Sequence, residues 1–222
     1  MVYHALAIDG PAGAGKSTVA KTLAKRLGYV YIDTGAMYRA TTYKALSLEI
    51  NLNDPEAFDF LDSTDFEFKN GELYMDRVNM TTLNRRKEVS DNVSLVASHI
   101  PVRNKLVHLQ QEIAANNNVV MDGRDIGTVV LKEADLKVFL TASVEVRAKR
   151  RYDELLSLGN KVNLSNLEQD IKRRDAFDST RKYNPLKQAE DALYIDTSDK
   201  NIDEVSELLY KKFMEIVNKG EF

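Results

Sequence analysis

The sequence predicts an α/β protein in which a five-stranded parallel sheet is flanked by helices. Two observations lead to this prediction. Short apolar or β-branched segments alternate along the chain with segments whose apolar residues recur at helical spacing, and this alternation is typical of parallel sheets with crossover helices. The chain also has 222 residues, 43% hydrophobic and 29% charged, which suits one sizeable globular unit.

Each predicted strand is a short apolar or β-branched segment. In chain order the five strands are residues 3–9, 29–33, 118–122, 136–141 and 192–196. The first crossover helix carries Val19, Leu23 and Leu27 four residues apart, and Gly28 follows as its C-terminal stop. The next helix begins where Asp33 or Thr34 can cap it, and a last helix covers residues 201–217.

Two segments depart from this alternation. Residues 64–82 alternate polar and apolar side chains around Asn70-Gly71, which predicts a small antiparallel insert outside the main sheet. Residues 145–182 are rich in arginine and predict two helices joined by a polar loop.

Composition excludes several classes of function. The net charge of −3 provides no basic field for nucleic acid or a membrane surface, and no apolar run is long enough to cross a bilayer. Without cysteine there are no disulfides, thiolate metal sites or thiol nucleophile, which fits a reducing cytoplasm. His4, His99 and His108 show no zinc-ligand spacing.

A phosphate-binding motif follows the first strand directly. The segment GPAGAGKST fits the pattern G-x-x-x-x-G-K-S/T. Its glycines let backbone N–H groups surround phosphate oxygens, while the lysine reaches the β- and γ-phosphates and the serine hydroxyl can bind Mg²⁺. The predicted ATP-binding residues of this loop are Gly10, Pro11, Ala12, Gly13, Ala14, Gly15, Lys16, Ser17 and Thr18.

Charged residues also follow two other predicted strands. DTGAMYR comes after the second strand, Asp122 ends the third strand, and Arg124 and Asp125 follow in the loop. Because the carboxyl ends of parallel strands share one edge of the sheet, these side chains are expected beside the phosphate cradle. Asp122 is then a candidate for organising Mg²⁺ together with Ser17, and Arg124 can clamp a second phosphate.

The motif alone leaves the class of protein open. A guanine-reading N-K-x-D is absent, and a short chain with an arginine-rich helical segment favours a small-molecule kinase. Three alternatives remain: a kinase for UMP, AMP or a non-nucleotide metabolite, a slow nucleotide-binding switch, and an RNA-associated protein. The negative net charge argues against the last.

Five motifs together resemble bacterial cytidylate kinase, a nucleoside monophosphate kinase of the P-loop NTPases. They are GPAGAGKST, DTGAMYR, SLVASHIPVR, DGRDIGTVV and RRDAFDSTR, which run in family order along nearly the whole chain. The resemblance implies a core of residues 1–34, 116–144 and 183–222, a monophosphate-binding domain of residues 35–115 that contains the insert, and a lid of residues 145–182.

The resemblance also implies the roles of individual residues. Thr34, Arg39, Arg124 and Arg181 would hold the phosphate of CMP, and Tyr38 would pack near the nucleoside. Ser94, Arg103 and Asp125 would read cytosine. Arg174 and Asp178 would contact the sugar, with Arg174 also near the transferred phosphoryl group. Arg147 would contact ATP, and the expected catalytic side chains are Lys16, Arg124, Arg151, Arg174 and Arg181.

The expected reaction is in-line transfer from ATP to CMP or dCMP. The second pKa of a phosphate monoester is about 6, so the attacking oxygen needs no general base, and arginines and Mg²⁺ neutralise charge. Uracil would present a carbonyl to Asp125 where cytosine presents its amino group, so discrimination against UMP is expected. A monomer is expected, since the lid and the monophosphate-binding domain must move.

Overall fold

A computed structural model describes residues 3–157 and 159–219. The predicted core begins at residue 1 and ends at residue 222, so its residues 1–2 and 220–222, together with residue 158 of the predicted lid, lie outside the described residues. Within the described ranges the strands are β1 (Ala5–Asp9), β2 (Val30–Asp33), β3 (Phe66–Lys69), β4 (Glu72–Met75), β5 (Val78–Asn79), β6 (Val119–Gly123), β7 (Leu136–Thr141) and β8 (Leu193–Asp196).

Helices occupy most of the chain between the strands. The α-helices of the described residues are α1 (Lys16–Leu27), α2 (Thr34–Ser47), α3 (Lys87–Val96), α4 (Ile100–Ala115), α5 (Val144–Ser157), α6 (Leu164–Thr180) and α7 (Ile202–Lys219). Two 3₁₀-helices lie at Pro55–Ser63 and Leu83–Arg85, and one π-helical turn lies at Ile126–Val130.

The main sheet has the predicted five parallel strands. Their order is β2-β6-β1-β7-β8, so β1 is central although it precedes the other four in the chain. The register pairs Asp33 with Asp122 and Asp9 with Gly123, which aligns the carboxyl ends of β2, β6 and β1. This alignment gathers the loops that follow those strands at one edge.

The predicted insert is confirmed and is larger than a hairpin. It is a three-stranded antiparallel sheet in which β5 adds to the β3–β4 pair. Asp76 and Arg77, between β4 and β5, both adopt positive φ of 49° and 67°. Such turns usually contain glycine or asparagine, so the Asp-Arg pair gave no hairpin signal in the sequence.

Helices α3 and α4 were only partly anticipated. The SLVASHIPVR stretch spans the last turn of α3 and the first turn of α4. Pro101 lies in the first turn of α4, where its missing N–H leaves no intrahelical bond unmade. Ser94 and Arg103 therefore lie on two different helices.

Three hydrophobic clusters support this frame. One lies between one face of the sheet and helices α1 and α7, and another covers the opposite face near the π-helical turn. The third lies wholly within residues 36–109 and gives the insert and helices α2 to α4 a core of their own. No helix in residues 3–157 or 159–219 is long and apolar enough to span a membrane.

Candidate active site

The loop between β1 and α1 has the conformation of a phosphate cradle. Gly10, Gly13 and Gly15 have φ of 144°, 78° and 88°, which side-chain-bearing residues rarely adopt. At Gly10 a Cβ atom would overlap the carbonyl oxygen of Leu140 in β7. The glycine there lets the loop turn tightly off the sheet into the N-terminus of α1.

Lys16 is buried in this loop. Its Nζ donates to the carbonyl oxygen of Pro11 at 2.8 Å. Burial first, and then the Arg124 guanidinium, lowers the pKa of Lys16 to about 7. An anionic phosphate beside Nζ would oppose both effects and favour the charged amine.

Ser17, Asp122 and Tyr31 form a chain of hydrogen bonds. The Ser17 hydroxyl donates to Asp122 Oδ2 at 2.9 Å, and the Tyr31 hydroxyl donates to Asp122 Oδ1 at 2.7 Å. Burial, and then the neighbouring Asp33, raises the pKa of Asp122 to about 6. A hydroxyl and a carboxylate side by side fit Mg²⁺, which takes oxygen ligands and completes its shell with water and phosphate. Across the described ranges no three His, Asp or Glu side chains cluster as a metal site.

The residues after β2 lie at the same edge. Asp33 caps α2 by accepting from the Ala36 N–H at 2.8 Å, and its other oxygen accepts from Arg39 at 2.9 Å. Thr34 is buried, and its hydroxyl donates to the carbonyl oxygen of Asp122 at 2.8 Å. Arg39 remains partly exposed at the mouth of the site, with 28% of its side chain accessible.

A buried group of charges surrounds Asp125. Arg103, only 1% exposed, forms an ion pair with Asp125 and donates to the Ala97 carbonyl oxygen at 2.9 Å. Arg181 approaches the same carboxylate at 3.6 Å. The Arg103 guanidinium also lies 5.2 Å from the centre of the Tyr38 ring. Four of the predicted CMP-binding residues therefore converge from α2, α4, the loop after β6 and the end of α6.

A second ion pair adjoins this group. Arg124 Nε donates to Asp178 Oδ2 at 3.0 Å, which joins the loop after β6 to α6. Arg174 lies half-buried one turn away on α6, and loss of solvent, followed by the charge of Arg124, lowers its pKa to about 10. The structure thus gathers arginines between the phosphate cradle and Asp125, where two phosphate groups would need charge compensation.

Several polar atoms in this region have no hydrogen-bond partner among the described residues. They include the Tyr38 hydroxyl, Nε of Arg103, Nε of Arg174 and Nη2 of Arg181. Buried donors without partners cost free energy, so their concentration in one place is an observation that favours a polar ligand.

The structure places Arg147 and Arg151, the other two predicted site arginines of residues 145–182, differently. Arg147 is buried, pairs with Asp175 of α6 at 2.6 Å and donates to the carbonyl oxygen of Ala12 in the phosphate loop at 3.2 Å. Arg151 is partly exposed and pairs with Glu154 of its own helix at 2.7 Å, so it is not gathered with the buried arginines. Ser94 is half-buried on α3.

Sequence reasoning missed three polar residues that border the site, namely Arg150, Thr197 and Asp9. Arg150 donates to the carbonyl oxygen of Thr197 at 2.6 Å, and the Thr197 hydroxyl donates to the Ala14 carbonyl at 3.2 Å. Asp9, at the end of β1, accepts from the Ile126 and Gly127 N–H groups at 2.8 Å each. The available signal for Asp9 was its position, a lone acid ending an apolar strand.

Comparison with known proteins agrees with this geometry. Residues 6–215 match the family model described as cytidylate kinase. A cytidylate kinase of Geobacillus sp. (strain WCH70) is 51% identical, with 96% of each chain covered, and one of Alkaliphilus metalliredigens (strain QYMF) is 50% identical, covering 96% of this chain and 97% of the relative. A gluconokinase structure from Sinorhizobium meliloti 1021 shares the fold, with a TM-score of 0.52, 16% identity and coverage of 99% of this chain and 96% of that one.

Proposed function

The chain belongs to the cytidylate kinase family and is a nucleoside monophosphate kinase that transfers a phosphoryl group from ATP to CMP, and from this premise we propose how its residues act. ATP binds with its phosphates in the loop of residues 10–18. CMP or dCMP binds between Asp125 and the arginines that surround it. The observation that carries this proposal is the buried set of donors around Asp125 that lack partners among the described residues.

Cytosine recognition rests on Asp125. Its carboxylate accepts from the exocyclic amino group, while Arg103 and Ser94 donate to the ring acceptors. Arg103 is already in contact with Asp125, so the two side chains hold each other in place before the base enters. Uracil offers a carbonyl oxygen where cytosine has its amino group, and this oxygen would face Asp125 without a donor.

The arginines position and neutralise the phosphates. Thr34, Arg39, Arg124 and Arg181 hold the CMP phosphate, and Asp178 orients Arg124 through the bond at 3.0 Å. Arg174 contacts the sugar together with Asp178. It also lies close enough to Arg124 for both arginines to neutralise the negative charge of the transferred phosphoryl group. The CMP phosphate has a second pKa of about 6 and is largely a dianion at neutral pH, so the attacking oxygen carries no proton to remove.

Lys16 binds the β- and γ-phosphates of ATP and so stabilises charge as the γ-phosphoryl group moves in line. Bound Mg²⁺, held by Ser17 and Asp122, would supply further compensation for phosphate charge. Tyr31 and Ser17 both donate to the Asp122 carboxylate and fix its orientation at the carboxyl end of β6.

The arginine-rich helices α5 and α6 act as a lid. Arg147 joins α5, α6 and the phosphate loop, so movement of the lid is transmitted to the ATP side. Arg151 reaches ATP only after it leaves Glu154. Closure excludes water and suppresses ATP hydrolysis. The enzyme works as a cytoplasmic monomer on small nucleotides, without nucleic acid or membrane partners.

The test is a coupled ADP-release assay with ATP and Mg²⁺ against CMP, dCMP, UMP, AMP and GMP. We expect CMP and dCMP to be preferred. Asp125→Asn should lower the ratio of kcat/KM for CMP over UMP by about tenfold or more, because its amide can donate to the uracil carbonyl.

Asp170→Asn is the matched control, since Asp170 is an exposed acid on α6 paired only with Arg173. Turnover restricted to AMP or GMP, or an unchanged CMP-to-UMP ratio in Asp125→Asn, would contradict the assignment of Asp125 as the base reader.

A further inference from the structure

The loop that carries Arg124 and Asp125 runs directly into a π-helical turn at Ile126–Val130. Asp125 occupies the position before the first helical residue, and the N–H groups of Ile126 and Gly127 begin the turn. Such N–H groups have no partner within their own helix. An aspartate in this position ordinarily supplies the missing acceptor with its own carboxylate.

Asp125 does not do so here. Its side chain makes no capping hydrogen bond and is turned instead toward Arg103 and Arg181. The capping oxygens come from Asp9, in the central strand of the sheet, whose Oδ1 accepts from Ile126 N–H and Oδ2 from Gly127 N–H, both at 2.8 Å. The Asp9 side chain is buried, and each of its two oxygens accepts one of these hydrogen bonds.

We propose that Asp9 is a positioning residue for base recognition: it caps the π-helical turn in place of Asp125 and thereby leaves the Asp125 carboxylate free to read the base. This inference rests on the proposed function of the same site. Asp9 touches neither substrate, and its effect passes through the backbone of Ile126 and Gly127. Through these bonds, Asp9 also links β1, which leads into the phosphate loop, to the loop after β6, which carries Asp125.

The fold explains why a distant carboxylate can serve this purpose. Asp9 and Gly123 are register partners on the neighbouring strands β1 and β6, so the carboxylate lies beside the start of the loop that follows β6. Gly123 has no space for a side chain, because a Cβ there would lie 2.6 Å from atoms of both Ile126 and Thr34. The backbone of the loop is thus packed tightly against the residues that Asp9 holds.

The test compares the full chain with Asp9→Asn, which keeps the shape of the side chain but presents an amide N–H₂ to one of the two N–H groups. Calorimetric titration would measure the Kd of CMP, UMP and ADP, and the assay would give kcat/KM for CMP and UMP. We expect the Kd of CMP to rise about tenfold and the preference for CMP over UMP to narrow, with ADP affected less than about twofold.

Asp135→Asn is the matched control. Asp135 accepts from the Ala5 N–H at 2.7 Å, at the opposite end of the same strand and away from the proposed substrates. It should lower stability without changing the CMP-to-UMP preference. Should Asp9→Asn not fold, Asp9→Ser keeps one oxygen acceptor and serves as the milder variant.

The outcomes distinguish a failure of the proposed function from a failure of the role assigned to Asp9. A wild-type enzyme that does not prefer CMP would overturn the proposed function itself. A wild-type enzyme that prefers CMP, combined with an Asp9→Asn variant whose CMP affinity and base preference are unchanged, would overturn the role of Asp9 alone. Equal losses in Asp9→Asn and Asp135→Asn, or equal losses of CMP and ADP binding, would likewise show that Asp9 only stabilises the strand.

Discussion

At the scale of single residues, the buried charges around Asp125 depend on one another most strongly. Arg103 is almost completely buried, and Arg181 approaches the same carboxylate. Charges removed from water are tolerated when each keeps its partner, and the loss of one partner leaves the other uncompensated. The stability of this region should therefore depend on Arg103 and Asp125 as a pair.

Replacing Arg103 with Met should lower the free energy of unfolding by about 3–5 kcal/mol, because Asp125 would remain buried with a weaker partner. Adding Asp125→Leu should recover part of this loss while CMP binding stays absent. Urea denaturation of both variants measures the effect. Arg173→Met, which removes an exposed pair on α6, should change stability by no more than about 0.5 kcal/mol; a comparable loss there would contradict the argument.

Asp9 should make stability depend on pH. Burial is the largest cause that raises its pKa from 3.8 to about 7, with a smaller increase from nearby Asp125, and the N–H groups of Gly127 and Ile126 and the charge of Lys16 oppose this rise. Between these two values the folded chain binds more protons than the unfolded chain, so this contribution to the unfolding free energy falls as pH rises from about 4 to about 7.

Asp9→Asn lacks this contribution. The difference in unfolding free energy between wild type and variant should therefore shrink as pH rises across that window and stay constant above it. Denaturation series at several pH values measure the difference, and a gap that widens with pH would contradict the raised pKa.

Sequence reasoning anticipated where the candidate site residues lie better than which residues they contact. The glycines, Lys16 and Asp125 belong to contiguous motifs, and the structure brings all of them to one edge of the sheet. The partnership of Asp9 with Ile126 joins residues 117 positions apart, and that of Arg147 with Asp175 requires the packing of two helices. Such contacts depend on tertiary structure and leave no local pattern in the chain.

At the scale of elements, the end of β1 is held against β7. Gly10→Ala should destabilise the fold by more than about 3 kcal/mol or prevent folding, since the new Cβ would meet backbone of Leu140 at a φ of 144°. Gly28→Ala is the matched comparison, because this glycine ends α1 at φ 69° with nothing within 4 Å of a Cβ. Gly28→Ala should lower the free energy of unfolding by only about 1 kcal/mol. Thermal denaturation of both variants measures the difference, and an equal or larger loss in Gly28→Ala would contradict the prediction.

Helices α5 and α6 are joined by Arg147 and Asp175. Asp175→Asn should lower the unfolding free energy by about 1–3 kcal/mol, because the buried guanidinium loses its carboxylate. Asp170→Asn on the same helix should stay within about 0.5 kcal/mol, as its pair is exposed. Chemical denaturation distinguishes the two variants, and equal effects would argue against a structural link between α5 and α6.

Strand and helix periodicity predicted the main sheet and the two lid helices to within a few residues, but it missed β5 and the π-helical turn. Each of these is too short for periodicity to develop. The two-residue strand β5 depends on an Asp-Arg turn, and the turn at Ile126–Val130 depends on Asp9 from another strand. Both are set by contacts outside the segment itself.

At the scale of the whole molecule, the proposed CMP site is formed by residues from parts of the chain that pack separately. Its residues come from α2 and α4, which share one hydrophobic cluster, from the loop after β6 and from α6. At a CMP concentration about one hundred times its Kd, binding should add about 2.7 kcal/mol to stability and raise Tm by about 5–10 °C.

Hydrogen exchange should also slow in both α4 and α6 when CMP binds, because the ligand bridges them. Asp125→Asn provides the comparison. Protection of α4 without any change in α6 would mean that Arg181 and Asp178 do not take part in binding.

The central position of β1 has a consequence for synthesis on the ribosome. Its two neighbours are β6 and β7, which pair with it through Val119 and Leu136 and are translated only after helices α2 to α4. A nascent chain that stops before β6 therefore contains the entire phosphate loop. Its β1 is an apolar strand with both edges unpaired. Such a product should aggregate or require a chaperone, whereas residues 36–109 already possess a core of their own.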